Sequence, residues 1–507
     1  MERTAGILLP VFSLPTPYGI GGLSKEAYQF VDFLHGAGQG AWQVLPLGPT
    51  AYGDSPYQPV SAFAGNPYLI SLEDMIEEGY LTRDEVETQF FGNNAERIDY
   101  GALHQVRPAL LRIACGRFLE QGMQRESEYT VFVKKASAWL PDYAMYMALK
   151  EYHDGKSWDR WEDAYRVRNE DAIAKAELTL EKAIVYYYFE QFMFHKQWSA
   201  LKAYANKKKI KIIGDLPFYV AYDSADVWAH PESFKLDADF KPITVAGTPP
   251  DAFSPKGQRW GNPIYDWKYL QRQDYDWWMQ RMKRNFELFD IIRIDHFHGF
   301  AEYYEIPAAD ETAENGIMIK GPGMDLIEKF VRLYGTDTII AENLGNQTKV
   351  NEKLLADSGF AGMSVLQYAF TSWDSVYVTH RHERNSVVYT GTHDNTPVRA
   401  WVEEIGNDDR DFARAYIGSI HTDYGQFTWD FIREAYRSVA NMTIVPLQDY
   451  LVLGVDTRLN IPGKSDGNWS WRMRPGGLSD ALCGSIRRLA EVYGRVPRGA
   501  EPEEEEK

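Results

Sequence analysis

Short apolar runs that end in Gly, Pro or Asp recur along the chain, and segments of helical periodicity separate them. Eight of these runs are predicted to be β-strands: Gly6–Phe12, Ala41–Gly48, Lys211–Val220, Ile291–Phe297, Thr338–Leu344, Met363–Phe370, Val387–Asp394 and Thr443–Gln448. Strands that alternate with helices are typical of a parallel sheet with crossover helices. Eight such units favour an α/β fold of the (β/α)₈ TIM-barrel type, and counting alone leaves an open doubly wound sheet as the alternative.

One connection is much longer than a crossover needs, since about 160 residues separate the second predicted strand from the third. Within it, apolar residues recur at spacings of three and four, which predicts helices over Ala102–Gln121, Ser127–Gly155 and Lys175–Lys209. We therefore predict a single barrel over residues 1–507 with a mostly helical subdomain inserted at 50–205. Residues 498–507, which end in EPEEEEK, are predicted to form a solvated acidic tail.

Composition narrows the classes of function. A net charge of -18 argues against nucleic acid as a partner, because a polyanion calls for a basic face. No apolar run approaches the roughly 18 to 20 residues of a membrane span, and the first residues lack the apolar core of a signal peptide, so a cytoplasmic protein is expected. The two cysteines, Cys115 and Cys483, are far apart and indicate neither a disulfide framework nor a zinc site.

Motifs for cofactors are missing from the sequence. The glycines of Ile20–Gly22 lack the spacing of a dinucleotide site, and neither a phosphate loop nor an oxygen-rich loop of the EF-hand kind occurs. We predict no cofactor and no metal ion.

Carboxylates recur where the predicted strands end. Active sites of (β/α)₈ barrels lie at the C-terminal ends of the strands, so polar residues at this end are informative. A single such residue is more often a helix cap or an ion-pair partner, but several would converge on one mouth. The residues in question are Asp215, Asp295, Glu342 and Asp394, with Gln448 and Asp449 closing the last strand.

Carboxylates without a Cys/His cluster match glycoside chemistry, which uses one acid and a second carboxylate below the sugar ring, and metal-assisted hydrolysis is the alternative. Arg293 and Asp295 face the same side of their strand, so the guanidinium would keep this carboxylate ionised as a nucleophile requires. A purely structural buried pair is the other interpretation. The apolar residues before Glu342 would raise its pKa and keep it protonated as an acid.

Three short segments, RIDHF, AENLG and GTHDN, resemble the α-amylase superfamily in sequence and order. Five longer segments resemble the 4-α-glucanotransferases known as amylomaltase or disproportionating enzyme, namely Gly53–Ile70, Gly214–Phe234, Gly247–Trp267, Val445–Gly454 and Arg458–Arg472. The resemblance extends over essentially the whole chain. It implies that Asp295 is the nucleophile, Glu342 the general acid/base and Asp394 the stabiliser of the oxocarbenium-like transition state. Arg293 would then orient the nucleophile.

The same resemblance implies a set of sugar contacts. Hydroxyls of the central sugar would be held by Asp215, His296 and His393, with Tyr57 stacking on its face and Ser55 in the same loop. Residues 245–265 resemble a flexible loop over the active site, which suits a lid. Ala252 stands where some relatives have a tyrosine, so the lid contacts are assigned to Asp251, Phe253, Gln258 and Trp260. Thr396 and Pro397 also depart from the relatives, with altered acceptor contacts expected at most.

The implied activity is a hexosyl transfer. A segment of an α-1,4-glucan, from maltodextrin, amylose, glycogen or starch, would pass to the 4-hydroxyl of a glucose, maltose or maltodextrin acceptor by a retaining double displacement, which needs carboxylates about 5 to 5.5 Å apart. An α-glucan hydrolase with the same carboxylates is one alternative. A non-catalytic carbohydrate-binding protein is the second, because a fold does not guarantee activity.

Overall fold

The computed structural model describes residues 1–51, 53–250, 254–345, 348–464 and 466–498. These residues contain strands β1 (Thr4–Leu8), β2 (Ala41–Gln43), β3 (Lys211–Leu216), β4 (Thr244–Thr248), β5 (Gln258–Pro263), β6 (Ile291–Ile294), β7 (Glu302–Pro307), β8 (Ile317–Lys320), β9 (Ile339–Ala341), β10 (Ala361–Val365), β11 (Ser386–Tyr389) and β12 (Met442–Pro446). Eight of them close into a barrel in the order β1-β12-β11-β10-β9-β6-β3-β2, with all neighbours parallel. The predicted (β/α)₈ barrel is thereby confirmed.

The helices of the same residues are α1 (Lys25–Gly36), α2 (Leu72–Glu77), α3 (Arg83–Glu87), α4 (Tyr100–Glu120), α5 (Ser127–Lys135), α6 (Leu140–Tyr152), α7 (Asp163–Arg166), α8 (Glu170–Thr179), α9 (Glu181–Lys207), α10 (Ala225–Ala229), α11 (Trp267–Arg272), α12 (Asp276–Leu288), α13 (Met324–Tyr334), α14 (Lys349–Ser358), α15 (Val398–Glu404), α16 (Asn407–Ile417), α17 (Tyr424–Arg437), α18 (Leu447–Tyr450) and α19 (Asp480–Val492). Short 3₁₀ turns connect several of them. None of the helices in these residues is long and apolar enough to cross a membrane.

The barrel strands are largely apolar because a parallel sheet is covered on both faces. Every residue of β6, β9, β11 and β12 is buried. Arg293 in β6 is the notable polar residue among them, and it is buried as well. Each strand ends a few residues before the predicted run does, and the remainder of the run forms the loops at the mouth of the barrel.

Helices α2 to α9 lie in the long connection between β2 and β3, the segment predicted at 50–205. The longest, α9, packs against the barrel, where the indole N–H of Trp198 donates to the carbonyl of Leu288 at 2.9 Å. A second link joins the two parts, because Arg284 Nε donates to the carbonyl of Phe63 at 3.0 Å. These buried polar links fix the helical segment to the barrel wall.

A second sheet, absent from the prediction, lies beside the barrel. Its four antiparallel strands run in the order β5-β4-β7-β8. The predicted lid segment 245–265 therefore contains two paired strands, β4 and β5, instead of a continuous loop. Residues 251–253 between them lie outside the described residues. The sequence prediction failed here because these strands are short, and β5 contains Gly261 and Pro263, which are uncommon inside strands.

Candidate active site

The mouth of the barrel brings together the predicted strand-end carboxylates. Asp215 in β3 is paired in register with Arg293 in β6. Asp295 directly follows β6, and Glu342 directly follows the neighbouring strand β9. Asp394 lies in the loop that follows β11. The parallel order of the strands thus directs all these groups to one end of the barrel.

Arg293 lies between two carboxylates. Its Nη1 atom is 2.7 and 2.8 Å from the two oxygens of Asp215 and 3.0 Å from Oδ1 of Asp295. Burial lowers the pKa of Arg293, but the two negative neighbours outweigh this effect and the net pKa is well above the ordinary value. The guanidinium is therefore permanently charged and holds Asp295 in place, with 32% of the aspartate side chain still exposed to the mouth.

Glu342 is held by backbone amides. Its Oε1 accepts from the N–H of Leu344 at 2.7 Å, and its Oε2 accepts from the N–H of His296 at 2.8 Å. Burial raises the pKa of Glu342 to about 7; the charge of Asp295 adds to the rise, while Arg293 and the two amides oppose it. At neutral pH this carboxyl therefore exists in both protonated and ionised forms.

Asp394 has the opposite environment. Its Oδ1 accepts from Nδ2 of Asn460 at 2.6 Å and lies 3.3 Å from Nε2 of His393. Burial alone would raise its pKa, but His393, Asn460 and Arg293 outweigh the burial and lower the pKa to about 2. Asp394 is therefore ionised at neutral pH, and 40% of its side chain is exposed.

Aromatic rings form one wall of the site. The ring of Tyr57 stacks on that of His393, with centroids 4.9 Å apart, and lies 5.7 Å from the ring of Trp469. The hydroxyl of Tyr57 donates to Oδ2 of Asp215 at 2.9 Å and lies 3.3 Å from Nδ1 of His393. This wall offers a flat apolar surface whose position is fixed by hydrogen bonds at its buried edge.

Asp215, which was predicted to contact the sugar, lies below the surface of the site. Its side chain is fully buried, Arg293 contacts both of its oxygens, and Tyr57 donates to one of them. In this structure its partners are protein groups, and its role as a hydroxyl acceptor stays a prediction. The arrangement instead explains how Arg293 keeps its position, because a buried cation needs a buried counter-charge.

The remaining predicted contacts are spread over the mouth. Trp260 lies edge-on to the ring of His296 at 5.0 Å, and its indole N–H donates to Oε1 of Gln258 at 3.2 Å. Burial lowers the pKa of His296 to about 4, so the ring is neutral at pH 7. Ser55 Oγ accepts from the N–H of Tyr57 at 3.2 Å and so shapes its loop. The other two predicted contacts, Asp251 and Phe253, lie outside the described residues.

Several residues of the site were not singled out from the sequence. Asn460 binds the carboxylate of Asp394, and Arg458 Nη2 donates to the carbonyl of Asp394 at 2.5 Å. Arg458 Nη1 also donates to Thr396 Oγ1 at 2.8 Å. Both residues belong to a segment that carried the family resemblance, Arg458–Arg472, but they lie in a loop beyond β12 where no strand end marks a side chain.

In the part of the chain that the structure describes, no three His, Cys, Asp or Glu side chains are grouped as a metal ion would require. Cys115 and Cys483 are free thiols in those residues. The chemistry that the site can support is that of its carboxylates: a half-buried acid with a pKa near neutrality, a second carboxylate held by an arginine, and a third that is ionised at neutral pH.

This combination of barrel and carboxylates defines a glycoside-processing enzyme of the (β/α)₈ class. A family model described as 4-alpha-glucanotransferase, glycoside hydrolase family 77, matches residues 9–479. The chain therefore belongs to the 4-alpha-glucanotransferase family, and the resemblance found in the sequence is confirmed.

Relatives from distant organisms agree with this assignment. A 4-alpha-glucanotransferase of Clostridium butyricum is 43% identical over 96% of this chain and 99% of its own length. One of Thermus thermophilus is 42% identical over 98% of this chain and 100% of its own length. Among solved structures, the amylomaltase of Streptococcus agalactiae in complex with acarbose superimposes with a TM-score of 0.94 at 38% identity, covering 98% of this chain and 100% of that one.

Proposed function

We propose that the protein transfers glucan segments by a retaining double displacement at the barrel mouth. Asp295 attacks the anomeric carbon of an α-1,4-glucan, forming a bond between that carbon and a carboxylate oxygen while the glycosidic bond breaks. Glu342 gives its proton to the departing oxygen. In the second step Glu342 takes the proton of an acceptor 4-hydroxyl, whose oxygen displaces Asp295 and restores the α-linkage.

The pKa of Glu342 is the observation that carries this proposal. A group that must act first as an acid and then as a base works best with a pKa near the operating pH, and burial raises the pKa of Glu342 to about 7. The proton returns to the enzyme at each turnover, so no external base is needed. A carboxyl with an ordinary pKa would rarely carry the proton at neutral pH.

The two other carboxylates are assigned complementary roles. Arg293 lies 3.0 Å from Oδ1 of Asp295, and this contact would keep the nucleophile aligned with the anomeric carbon. Asp394 carries a negative charge at neutral pH because His393 and Asn460 lower its pKa to about 2. A fixed negative charge favours the positive charge that develops on the sugar in an oxocarbenium-like transition state.

Sugar contacts are assigned to the groups around these carboxylates. Tyr57 would stack on the central sugar, and the ring nitrogens of His296 and His393 would meet its hydroxyls. Four residues of the segment 245–265 would contact the sugar, namely Asp251, Phe253, Gln258 and Trp260. The segment as a whole would act as a lid over the site. Asp215 would also meet a hydroxyl of this sugar, Ser55 is a further candidate contact, and both bind Tyr57.

Transfer prevails over hydrolysis when an acceptor sugar reaches the glucosyl-enzyme before water does. The proposed acceptors are glucose, maltose and longer maltodextrins, and the proposed donors are maltodextrins, amylose and fragments of glycogen or starch. The cytoplasm is the proposed location of this reaction.

Incubation of the purified protein with maltotriose tests the proposal. We expect a ladder of shorter and longer maltodextrins, including free glucose, at a constant number of reducing ends. A steady rise in reducing ends without longer chains would identify a hydrolase instead. Binding of maltotriose without any product would contradict catalysis by these carboxylates on this substrate.

A further inference from the structure

A cavity of about 150 Å³ lies away from the carboxylates, between the turn that joins α5 to α6 in the inserted helical segment and helices α10 and α12 of the barrel. It shares none of its lining residues with the site described above. Residues that matter for its chemistry are Trp139, Asp142, Asp226, Glu232, Asp276 and Trp277.

Aromatic side chains form much of the cavity wall. Phe63 stacks on Trp139 at a centroid distance of 6.5 Å and meets Trp277 edge-on at 6.0 Å. Tyr143 and Tyr269 also line the space. Flat rings of this kind pack well against the C–H faces of a pyranose, and a pocket with apolar walls and a few polar groups is the usual form of a small-molecule site.

One buried donor on this wall lacks a partner. Trp277 is 7% exposed, and among the described residues no acceptor binds its indole N–H. An indole nitrogen can only donate, and a buried donor without an acceptor costs free energy. This unsatisfied donor belongs to a residue that lines the cavity.

Acceptors for a ligand are supplied by carboxylates. Gln280 donates to one oxygen of Asp276 at 2.6 Å, and Arg168 donates to one oxygen of Asp142 at 2.5 Å. A carboxylate has two oxygens, so each can still accept from a hydroxyl. Sugar hydroxyls can donate to such oxygens, so a wall of carboxylates and aromatic rings matches a polyhydroxyl ligand.

The charge of the lining selects among ligands. Asp142, Asp226, Glu232 and Asp276 would repel phosphate and carboxylate ligands, and His230, 3.8 Å from Glu232, is the basic residue of the lining. The described residues contain no cluster of metal-ligand geometry here either. A neutral polyhydroxyl compound therefore fits the cavity better than an anion or a metal ion.

We infer that this cavity is a second carbohydrate site, which binds one glucose unit of an α-1,4-glucan while the carboxylate site processes the chain or remains free. The identity of the glucan rests on the proposed function. Asp226 also joins the cavity to the loop of Tyr57, because its Oδ2 accepts from the N–H of Ala62 at 2.8 Å and the N–H of Ala225 donates to Val60 at 2.9 Å. A sugar held here would thus stabilise the base of that loop.

Calorimetric titration with maltoheptaose tests the inference in a Glu342→Gln protein, in which turnover of the sugar is expected to be strongly slowed. Ala138 is exposed and lines the cavity in the turn between α5 and α6, so Ala138→Trp fills the space without altering the core. Its neighbour Ser137 is exposed and does not line the cavity, so Ser137→Trp is the matched control. We expect two binding events with Ser137→Trp and one with Ala138→Trp. Equal stoichiometry and affinity in both proteins would overturn the inference.

A second pair of variants removes an acceptor instead of filling space. Asp276 is exposed at the start of α12 and lines the cavity, whereas Asp274 is exposed nearby and does not. We expect Asp276→Ala to weaken the second binding event by about tenfold, the factor that 1.4 kcal/mol of lost binding free energy gives, and Asp274→Ala to leave it unchanged. Titration with spermidine is the counter-test. If spermidine binds at the cavity and maltoheptaose does not, the cavity is a cation site and the inference is overturned.

Activity separates this inference from the proposed function. With Glu342 present, Ala138→Trp should leave kcat on maltotriose unchanged and raise KM for amylose severalfold, because only a long chain can occupy both sites. A wild-type protein that fails to disproportionate maltotriose but loses a sugar-binding event through Ala138→Trp would refute the proposed function and support the second site.

Discussion

Two strand ends of the barrel carry carboxyl groups whose pKa values differ because their surroundings differ. At the β9 end, burial raises the pKa of Glu342 to about 7. At the β11 end, His393 and Asn460 overcome the effect of burial and lower the pKa of Asp394 to about 2. The residue type predicts neither value. The comparison teaches that the groups around a half-buried carboxyl decide whether it serves as an acid or as a fixed charge, because burial raises the pKa at both ends.

The difference between the ends lies in the kind of donor. Glu342 receives two neutral backbone N–H groups and lies near the negative Asp295. Asp394 receives the amide of Asn460 and lies beside His393, whose pKa is raised because the attraction of Asp394 outweighs the effect of its burial. At Glu342, Arg293 and the two amides do not offset burial and Asp295, whereas at Asp394 the groups His393, Asn460 and Arg293 together outweigh burial, so of the two only Glu342 keeps a proton near neutral pH.

The largest effect is expected when Glu342, at the β9 end, can no longer carry a proton. Glu342→Gln keeps the size of the side chain but cannot donate a proton or take one up, so we expect turnover of maltotriose to fall by about 10² to 10⁴-fold. Chromatography of the products measures the loss. Glu352→Gln, an exposed position on α14, is the control and should retain full activity. A Glu342→Gln protein with more than a tenth of the wild-type rate would refute the acid/base role.

The pH dependence of the rate tests the raised pKa directly. Because Glu342 must be protonated in the first step and its pKa is raised to about 7, activity should fall as pH rises above about 7, by up to tenfold per pH unit. Asp394 stays charged over this range, so it contributes nothing to the alkaline limb. Initial rates of maltotriose disproportionation between pH 5 and pH 9 give the profile, and a flat rate up to pH 9 would contradict the assignment of Glu342.

A smaller effect is expected at the β11 end. Asn460→Ala removes a hydrogen bond to the charged Asp394 and should reduce kcat by about tenfold, since such bonds contribute about 1.5 to 3 kcal/mol. The alkaline limb of the pH profile should not move, because it belongs to Glu342. Asn407→Ala, at an exposed site on α16, is the control.

The stability of the folded protein should depend on pH through the lowered pKa of Asp394. The lowered pKa of Asp394 stabilises the folded state above the ordinary aspartate pKa of about 3.9, and this stabilisation is lost as pH falls towards about 2. The difference in Tm between wild type and Asn460→Ala should therefore be present at pH 7 and shrink below pH 4. A difference that grows on acidification would mean that Asn460 acts elsewhere.

The smallest effect concerns the aromatic wall, which reaches the β11 end through the stacking of Tyr57 on His393. Tyr57→Phe keeps the stacking surface but removes the hydroxyl that donates to Asp215, which should lower the free energy of unfolding by about 0.5 to 1.5 kcal/mol and kcat by a few-fold at most. Urea denaturation and the maltotriose assay measure the two. Tyr152→Phe, at an exposed position, should change neither, and a complete loss of activity in Tyr57→Phe would assign the hydroxyl a larger role.

The strands of the barrel could be predicted from sequence because each is a short apolar run that ends in a turn residue. Asp295 and Glu342 could be predicted as well, since each ends the apolar part of a predicted run. The pairing of Arg293 with Asp215 was out of reach, because it depends on the register between β3 and β6, which about 75 residues separate along the chain. The contact between Asn460 and Asp394 depends on a loop path that no periodicity records.

The antiparallel sheet shows where apolar patterning is insufficient. In β8 the exposed side chains of Ile317 and Met318 leave no buried face to mark the strand, and β4 consists mainly of small residues, including Gly247. Strands of this kind are stabilised by their neighbours in the sheet more than by their own propensity. Their existence follows from pairing with β7, which a single sequence does not reveal.

The hydrogen bond from His296 to Glu342 couples the two proposed catalytic carboxyls mechanically. The N–H of His296 belongs to the peptide group that begins at the carbonyl of Asp295, and His296 adopts a left-handed backbone with φ of 50°. Thermal motion at the end of β6 therefore carries Glu342 along with Asp295, and their separation varies less than the position of either. On heating, we expect enzymatic activity and the circular dichroism of the barrel to be lost at the same midpoint, because this hydrogen bond is expected to break only when the barrel itself unfolds.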